Sequence, residues 1–363
     1  MLYSSRRKGL AIKNTKLSYY KCVFNHSNCI QITMGNKRLT YIDIAKGIGI
    51  TLVVCSHTAA YELMAWSVGF FVPIFYFCSG YTTSSHSIGH SIKYNMIMRA
   101  KKLLIPYLFF NLLLFLYFRR WSFNGLLGII YSRYCIYPMG STTNYDLFIW
   151  GNYPMWFITS LFISYFFYYF ILYHYKYRNI IIFMYLCLTL LLSKTPILLP
   201  WSIDTAFLTS LIMLTGLYAK RNNIIEMEKW EIVICVLAYI LLLEVAGEIN
   251  ISVRQYGISF VLYYIIATLG CITLLWCSQK LETTIIGVFF AFLGRHSLTI
   301  FCMEILFIRE VSIAYCAIMN TCELDTINGL LGTITALLGG SVMSILLHKV
   351  SFCKSFIFNE KCT

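Results

Sequence analysis

Charge is what this chain has least of. Asp, Glu, Lys and Arg make up 12% of its 363 residues, about half of the roughly 25% usual in a soluble domain. With 59% hydrophobic residues and a mean hydropathy of +0.70, that shortage excludes an ordinary soluble enzyme. Acidic residues are the scarcer sign, 15 against 29 basic ones. The net charge of +14 does not point to nucleic acid, because the basic residues sit in short loops between apolar runs. The 14 cysteines include no Cys-x-x-Cys and no Cys/His cluster, so no metal site is expected. Most lie inside apolar segments and read as small core residues. Cys316 and Cys322, in a short loop, are the one pair that suggests a disulfide. Internal repeats and low-complexity segments are missing. The first 37 residues lack a long apolar core and a small-residue cleavage site, and so do not read as a signal peptide.

What fills the chain instead is apolar sequence. Ten runs stand out: Tyr41–Glu62, Ala65–Tyr81, Leu103–Phe118, Pro154–Tyr173, Ile180–Ser193, Thr205–Ala219, Ile232–Ala246, Tyr256–Cys277, Ile285–Ile308 and Ile327–Leu347. Ile180–Ser193 and Thr205–Ala219 are shorter than the about 17–25 residues that cross a bilayer. Either residues 195–200 extend them or one is re-entrant. The predicted fold is all-α, a polytopic integral membrane helical bundle of about ten transmembrane helices. Lys and Arg gather in alternate connections, which by the positive-inside rule puts both termini in the cytoplasm. Residues 1–37 are then a cytoplasmic tail or the product of an over-called start, with Met34 the natural one. Residues 38–350 form the transmembrane domain, and 351–363 a second cytoplasmic tail.

The first run, YIDIAKGIGITLVVCSH, carries three polar groups that share a helix face: Asp43, Lys46 and His57. At about 1.5 Å per residue, Lys46 and His57 lie about 16 Å apart along the axis. Such a stripe turns toward a protein interior or a water-filled cavity, or else holds a snorkelling Lys and a His bonded within the bundle. Arg99 and Lys102 share another face at the same membrane side. With Lys46, and Ser79 at the same depth, they form either a mouth for a phosphate-bearing ligand or a surface for anionic lipid heads. The opposite side holds His57, Trp156, Asp204, Asn250, Arg254 and Glu304. Glu304 sits within an apolar run, where an unpaired carboxylate is costly; Arg309 or His57 is its expected partner.

RLTYIDIAKGIGITLVVCSH resembles the opening of the membrane-bound acyltransferase-3 family, in particular its fucose 4-O-acetylase-like branch. The resemblance continues through PIFYFCSGY, RAKKLLIPY, PMWFITSLF, LPWSIDTAFLTSLIMLTGLYAKR, NISVRQYG and FLGRHSLTIFCMEI, in family order, over most of residues 38–347. It implies transfer of an acyl group, usually acetyl from acetyl-CoA, to a hydroxyl of a cell-surface or exported carbohydrate. The family's basic-x10-His pattern falls on Lys46 and His57, with Lys where many members have Arg. Its basic-x-x-basic pattern falls on Arg99 and Lys102. At Glu304 many members carry His.

The expected division of labour follows. His57, Asp43 and Glu304 are the candidate catalytic residues, with His57 the base that takes the hydroxyl proton. Lys46, Arg99, Lys102 and Ser79 are the candidate donor site. Trp156, Asp204, Asn250 and Arg254 are the candidate acceptor site, although a Trp at that depth also serves as a membrane anchor. The expected partners are acetyl-CoA as co-substrate, a carbohydrate or lipid-linked glycan, and membrane lipids, with no bound cofactor. The expected location is the bacterial inner membrane. The other function class compatible with these groups is a secondary transporter or flippase with a proton relay.

Overall fold

The computed structural model describes residues 38–119, 121–133, 135–137, 153–320, 323–350 and 357–358. The expected tail at 1–37, the Met34 start and the Cys316–Cys322 pairing fall wholly or partly outside those residues.

Among the described residues, twelve α-helices and one small hairpin follow in order. They are α1 (Thr40–Ser56), α2 (Pro73–Tyr81), α3 (Ser85–Gly89), α4 (Ile92–Tyr117), α5 (Phe123–Tyr131), α6 (Trp156–Tyr173), α7 (Arg178–Ser193), α8 (Ile203–Arg221) and α9 (Lys229–Ala246). Then come β1 (Ile249–Asn250) paired antiparallel with β2 (Gln255–Tyr256), α10 (Phe260–Lys280), α11 (Ile285–Met319) and α12 (Thr326–Lys349). The protein is an all-α polytopic membrane bundle. Among the described residues, seven helices are long and apolar enough to cross a membrane.

Several expected boundaries move, for local reasons. The run Ala65–Tyr81 is not one helix: a 3₁₀ helix at Tyr61–Ser67 and a turn precede α2, which Pro73 opens at its first turn. The polar stretch before Leu103 is largely helical, because Ser91 caps α4 by accepting the amide of Tyr94. Neither short run is lengthened by residues 195–199. A 3₁₀ turn at Tyr175–Tyr177 leads into α7, and another at Pro200–Ser202 leads into α8.

Helix α1 is the hub, packed against α11, α12, α10 and α2. Two glycines set its approach to α11. A methyl group on Gly47 would lie 1.8 Å from the Phe290 carbonyl oxygen, and one on Gly294 1.8 Å from that of Asp43. Small residues that let backbones touch are the usual cement of membrane helices. The same device joins α2 to α8, where Gly80 meets Met213 and Gly216 meets Phe77. Ile50, Val54, Ile300 and Met303 fill the α1–α11 seam.

Candidate active site

Helix α1 ends at the point where its polar stripe ends. The amide of His57 still donates to Val54, and the chain then turns, held by the Thr58 hydroxyl, which donates to Cys55 and accepts from Ala60. His57 is left at the helix terminus, with its ring beside α11. There its Nδ1 lies 2.9 Å from Oε1 of Glu304, whose side chain is 0% exposed. The second carboxyl oxygen, Oε2, is buried without a hydrogen-bond partner. A carboxylate so enclosed needs a compensating partner, and His57 supplies it. Arg309 does not: its guanidinium stacks on Phe118, 4.6 Å from the ring centre.

His57 also lines a cavity of about 1740 Å³. Single small-molecule sites span about 300–1,000 Å³, so this one has room for two reactants. It runs along α1 from Lys46 past Ile50 and Val53 to Ser56 and His57. Ser79 of α2, Trp156 and Phe157 of α6, and Ser297 and Phe301 of α11 add to its wall. Asn250, Ser252 and Gln255 of the hairpin lie along it as well. Of the residues expected from sequence, the cavity therefore gathers Lys46, His57, Ser79, Trp156 and Asn250, with Glu304 behind His57.

It leaves out the others. Asp43 is fourteen residues from His57 on one straight helix, about 21 Å away. Its carboxylate takes two hydrogen bonds from Arg38, at 2.5 and 3.0 Å, and fixes the start of α1. Arg99 turns to α6, where its guanidinium covers Tyr165 at 3.9 Å and donates to the Tyr169 hydroxyl. Lys102 is exposed and lies off the cavity. The three cations expected to form one mouth thus do not converge; Lys46 alone of them lines the cavity.

Asp204 and Arg254 are held in a buried clamp. Both Arg133 and Arg254 pair with the Asp204 carboxylate, and the Leu199 amide donates to it. Arg133 reaches the carbonyls of Leu199 and Ser252, while Arg254 holds Leu192 and Thr195. The clamp thereby ties α5, the start of α8 and the hairpin together. Arg133, which completes it, reads in sequence as one more loop cation. Glu244 and Glu248 also line the cavity and are not among the residues expected from sequence. Their signal is visible: after the apolar stretch from Ile232 to Leu243, one carboxylate stands in the last turn of α9 and a second two residues beyond its end.

No curated protein and no solved structure matches the chain. A family model described as an acyltransferase domain matches residues 39–348, from the start of α1 into α12. The blocks that build the cavity wall lie within that match, and the chain belongs to the acyltransferase-3 family of membrane acyltransferases.

Proposed function

We propose that this membrane acyltransferase is an O-acetyltransferase that uses acetyl-CoA to modify a hydroxyl of a cell-surface or exported carbohydrate. The observation that carries the reading is the His57–Glu304 contact at the wall of a cavity large enough for donor and acceptor together. With Nδ1–H donating to the carboxylate, the proton-accepting role falls to Nε2 of the same ring. The acceptor hydroxyl attacks the thioester carbonyl as Nε2 takes its proton. A C–O bond forms, the C–S bond breaks, and the departing CoA thiolate recovers the proton from the imidazolium. Glu304 holds the ring in one tautomer and stabilises its charged form, as an orienting carboxylate does in other acyl-transfer sites.

Lys46 is the donor-side anchor in this reading, placed to meet CoA phosphate about 16 Å along α1 from the base. The pantetheine arm then follows Ile50 and Val53 to His57. With both termini in the cytoplasm, Lys46 faces the side where acetyl-CoA is made, and the acceptor comes from the opposite side, that of a bacterial inner membrane facing outward. The test is transfer of label from radiolabelled acetyl-CoA to base-labile ester in membranes that contain the protein. Protein-dependent ester supports the reading. Movement of solute across the membrane with no ester formed would return the chain to the transporter class.

A further inference from the structure

The acceptor half of the cavity has a composition of its own. One face of α9 lines it, through Val236, Tyr239, Ile240, Leu243 and Glu244, the spacing of a single helical stripe. Facing that stripe is the 3₁₀ helix Tyr61–Ser67, joined to α9 where the Tyr239 hydroxyl donates to the Trp66 carbonyl at 2.7 Å. Trp66 and Ile240 each line the cavity and are 55% and 49% exposed, and Leu237, one turn before Ile240 on α9 and off the cavity, is 55% exposed. The cavity wall therefore passes at Ile240 into the exposed face of α9, which makes that edge the rim of an opening. The opening gives onto the exposed apolar face of α9, where Leu237, Leu241 and Val245 stand out. From Ile232 to Leu243 that helix carries only apolar side chains, the composition of a surface that meets lipid tails, although α9 with its three charged residues is not one of the seven helices that qualify as spans.

Beyond the apolar rim the wall turns polar. Glu244 and Glu248 are followed by Asn250, Ser252 and Gln255 of the hairpin. Among the described residues lining this half there are carboxylates and amides but no cation; Lys46 stands at the far end. A phosphate-bearing head group would meet two carboxylates on the wall itself; the described cations at the hairpin, Arg133 and Arg254, are buried and committed to Asp204 and to backbone carbonyls. A neutral head group rich in hydroxyls would meet acceptors and amides that match it.

Resting on the acetyl-transfer reading above, we infer that the carbohydrate acceptor is the neutral, hydroxyl-bearing head group of a lipid that reaches His57 sideways from the membrane, between the 3₁₀ helix and α9. Its chain lies in the slot between Trp66 and Ile240. Its head group lies under the hairpin, with one hydroxyl presented to the base.

The experiment incubates membranes from producing cells with radiolabelled acetyl-CoA, extracts them with chloroform–methanol, and passes the organic phase over an anion exchanger. Label in the organic phase that the exchanger does not retain is the expected result. Label in the aqueous phase overturns the lipid acceptor. Label retained by the exchanger overturns its neutrality. No protein-dependent label in either phase overturns the acetyl-transfer reading and, with it, this inference. Two variants of α9 locate the path. Ile240→Trp narrows the slot and is expected to lower transfer about tenfold or more, the scale of overfilling an apolar site, with the KM for acetyl-CoA unchanged. Leu241→Trp, one residue on, faces away from the cavity and is expected to leave transfer as in the parent. Equal activity of the two variants would overturn the lateral path.

Discussion

Nδ1 of His57 and Oε1 of Glu304 meet at 2.9 Å although 247 residues of chain separate them. The pair joins the end of α1 to the middle of α11, and a shared backbone seam at Gly47 and Gly294 holds those helices in register. Site and scaffold are thus one contact read at two depths.

Glu304→Gln keeps the shape of the side chain but removes the charge that steadies the imidazolium. It is expected to lower kcat by about 10²- to 10⁴-fold, the usual span for loss of effective acid–base catalysis. Expression and membrane insertion should stay normal. A double mutant with His57→Ala should lose no more than His57→Ala alone, because residues that act as a unit are not additive. Additive losses in steady-state kinetics would show that the two act separately.

Lys46 and Lys102 should part company. Lys46→Ala removes a cation from the cavity wall and is expected to raise the KM for acetyl-CoA about tenfold, as loss of one charge-assisted hydrogen bond does. Lys102→Ala, on an exposed side chain off the cavity, should leave it unchanged. Donor-saturation curves decide. A raised KM in the Lys102 variant alone would move the phosphate site off α1.

Much of this is legible in the chain itself. The sequence blocks that resemble the family are also blocks that touch. Gly80 of PIFYFCSGY meets the α8 backbone near Gly216, and Gly47 of IDIAKGIG meets α11 near Gly294. The depth of His57 and Glu304 could be counted along their helices. Rotation of one helix against another could not. Periodicity places residues on a face but does not say which neighbour that face meets. Depth alone groups Arg99 and Lys102 with Lys46, and groups Asp204 and Arg254 with Trp156 and Asn250. The missing fact was Arg133, which is 71 residues from Asp204 and unmarked by any local pattern.

Gly294→Ala tests the seam. The added methyl has no room against the Asp43 carbonyl, so α1 and α11 must separate, at a cost of about 1–3 kcal/mol. Thermal unfolding in detergent should fall, and transfer should fall with it as His57 and Glu304 move apart. Gly332→Ala on α12 is the control. Its nearest contact would be 3.7 Å from Thr58, ordinary packing, and its stability should change by less than about 1 kcal/mol. Equal losses in the two variants would mean that the close approach at Gly294 is not what holds the pair.

Asp204→Asn should act on folding rather than on either substrate. It leaves two guanidinium groups facing one neutral amide in a site where Asp204 and Arg133 are 0% exposed. Breaking a buried ion pair from one side costs about 3–5 kcal/mol. The expected outcome is loss of monodisperse protein on size exclusion, with whatever remains folded keeping its donor KM. A stable protein with a raised acceptor KM would restore Asp204 to the acceptor site.

The central claim is that His57 is the base of an acetyl transfer, and its most direct measurement is label transfer by His57→Ala. Parent and variant, matched for the amount of protein in the membrane, are given radiolabelled acetyl-CoA, and base-labile ester is counted. The parent should form ester, and the variant should form none above membranes without the protein while still eluting as a monodisperse folded protein, with a lower unfolding temperature because Glu304 has lost its partner. Ester formation by the variant at the parent's rate would contradict the account.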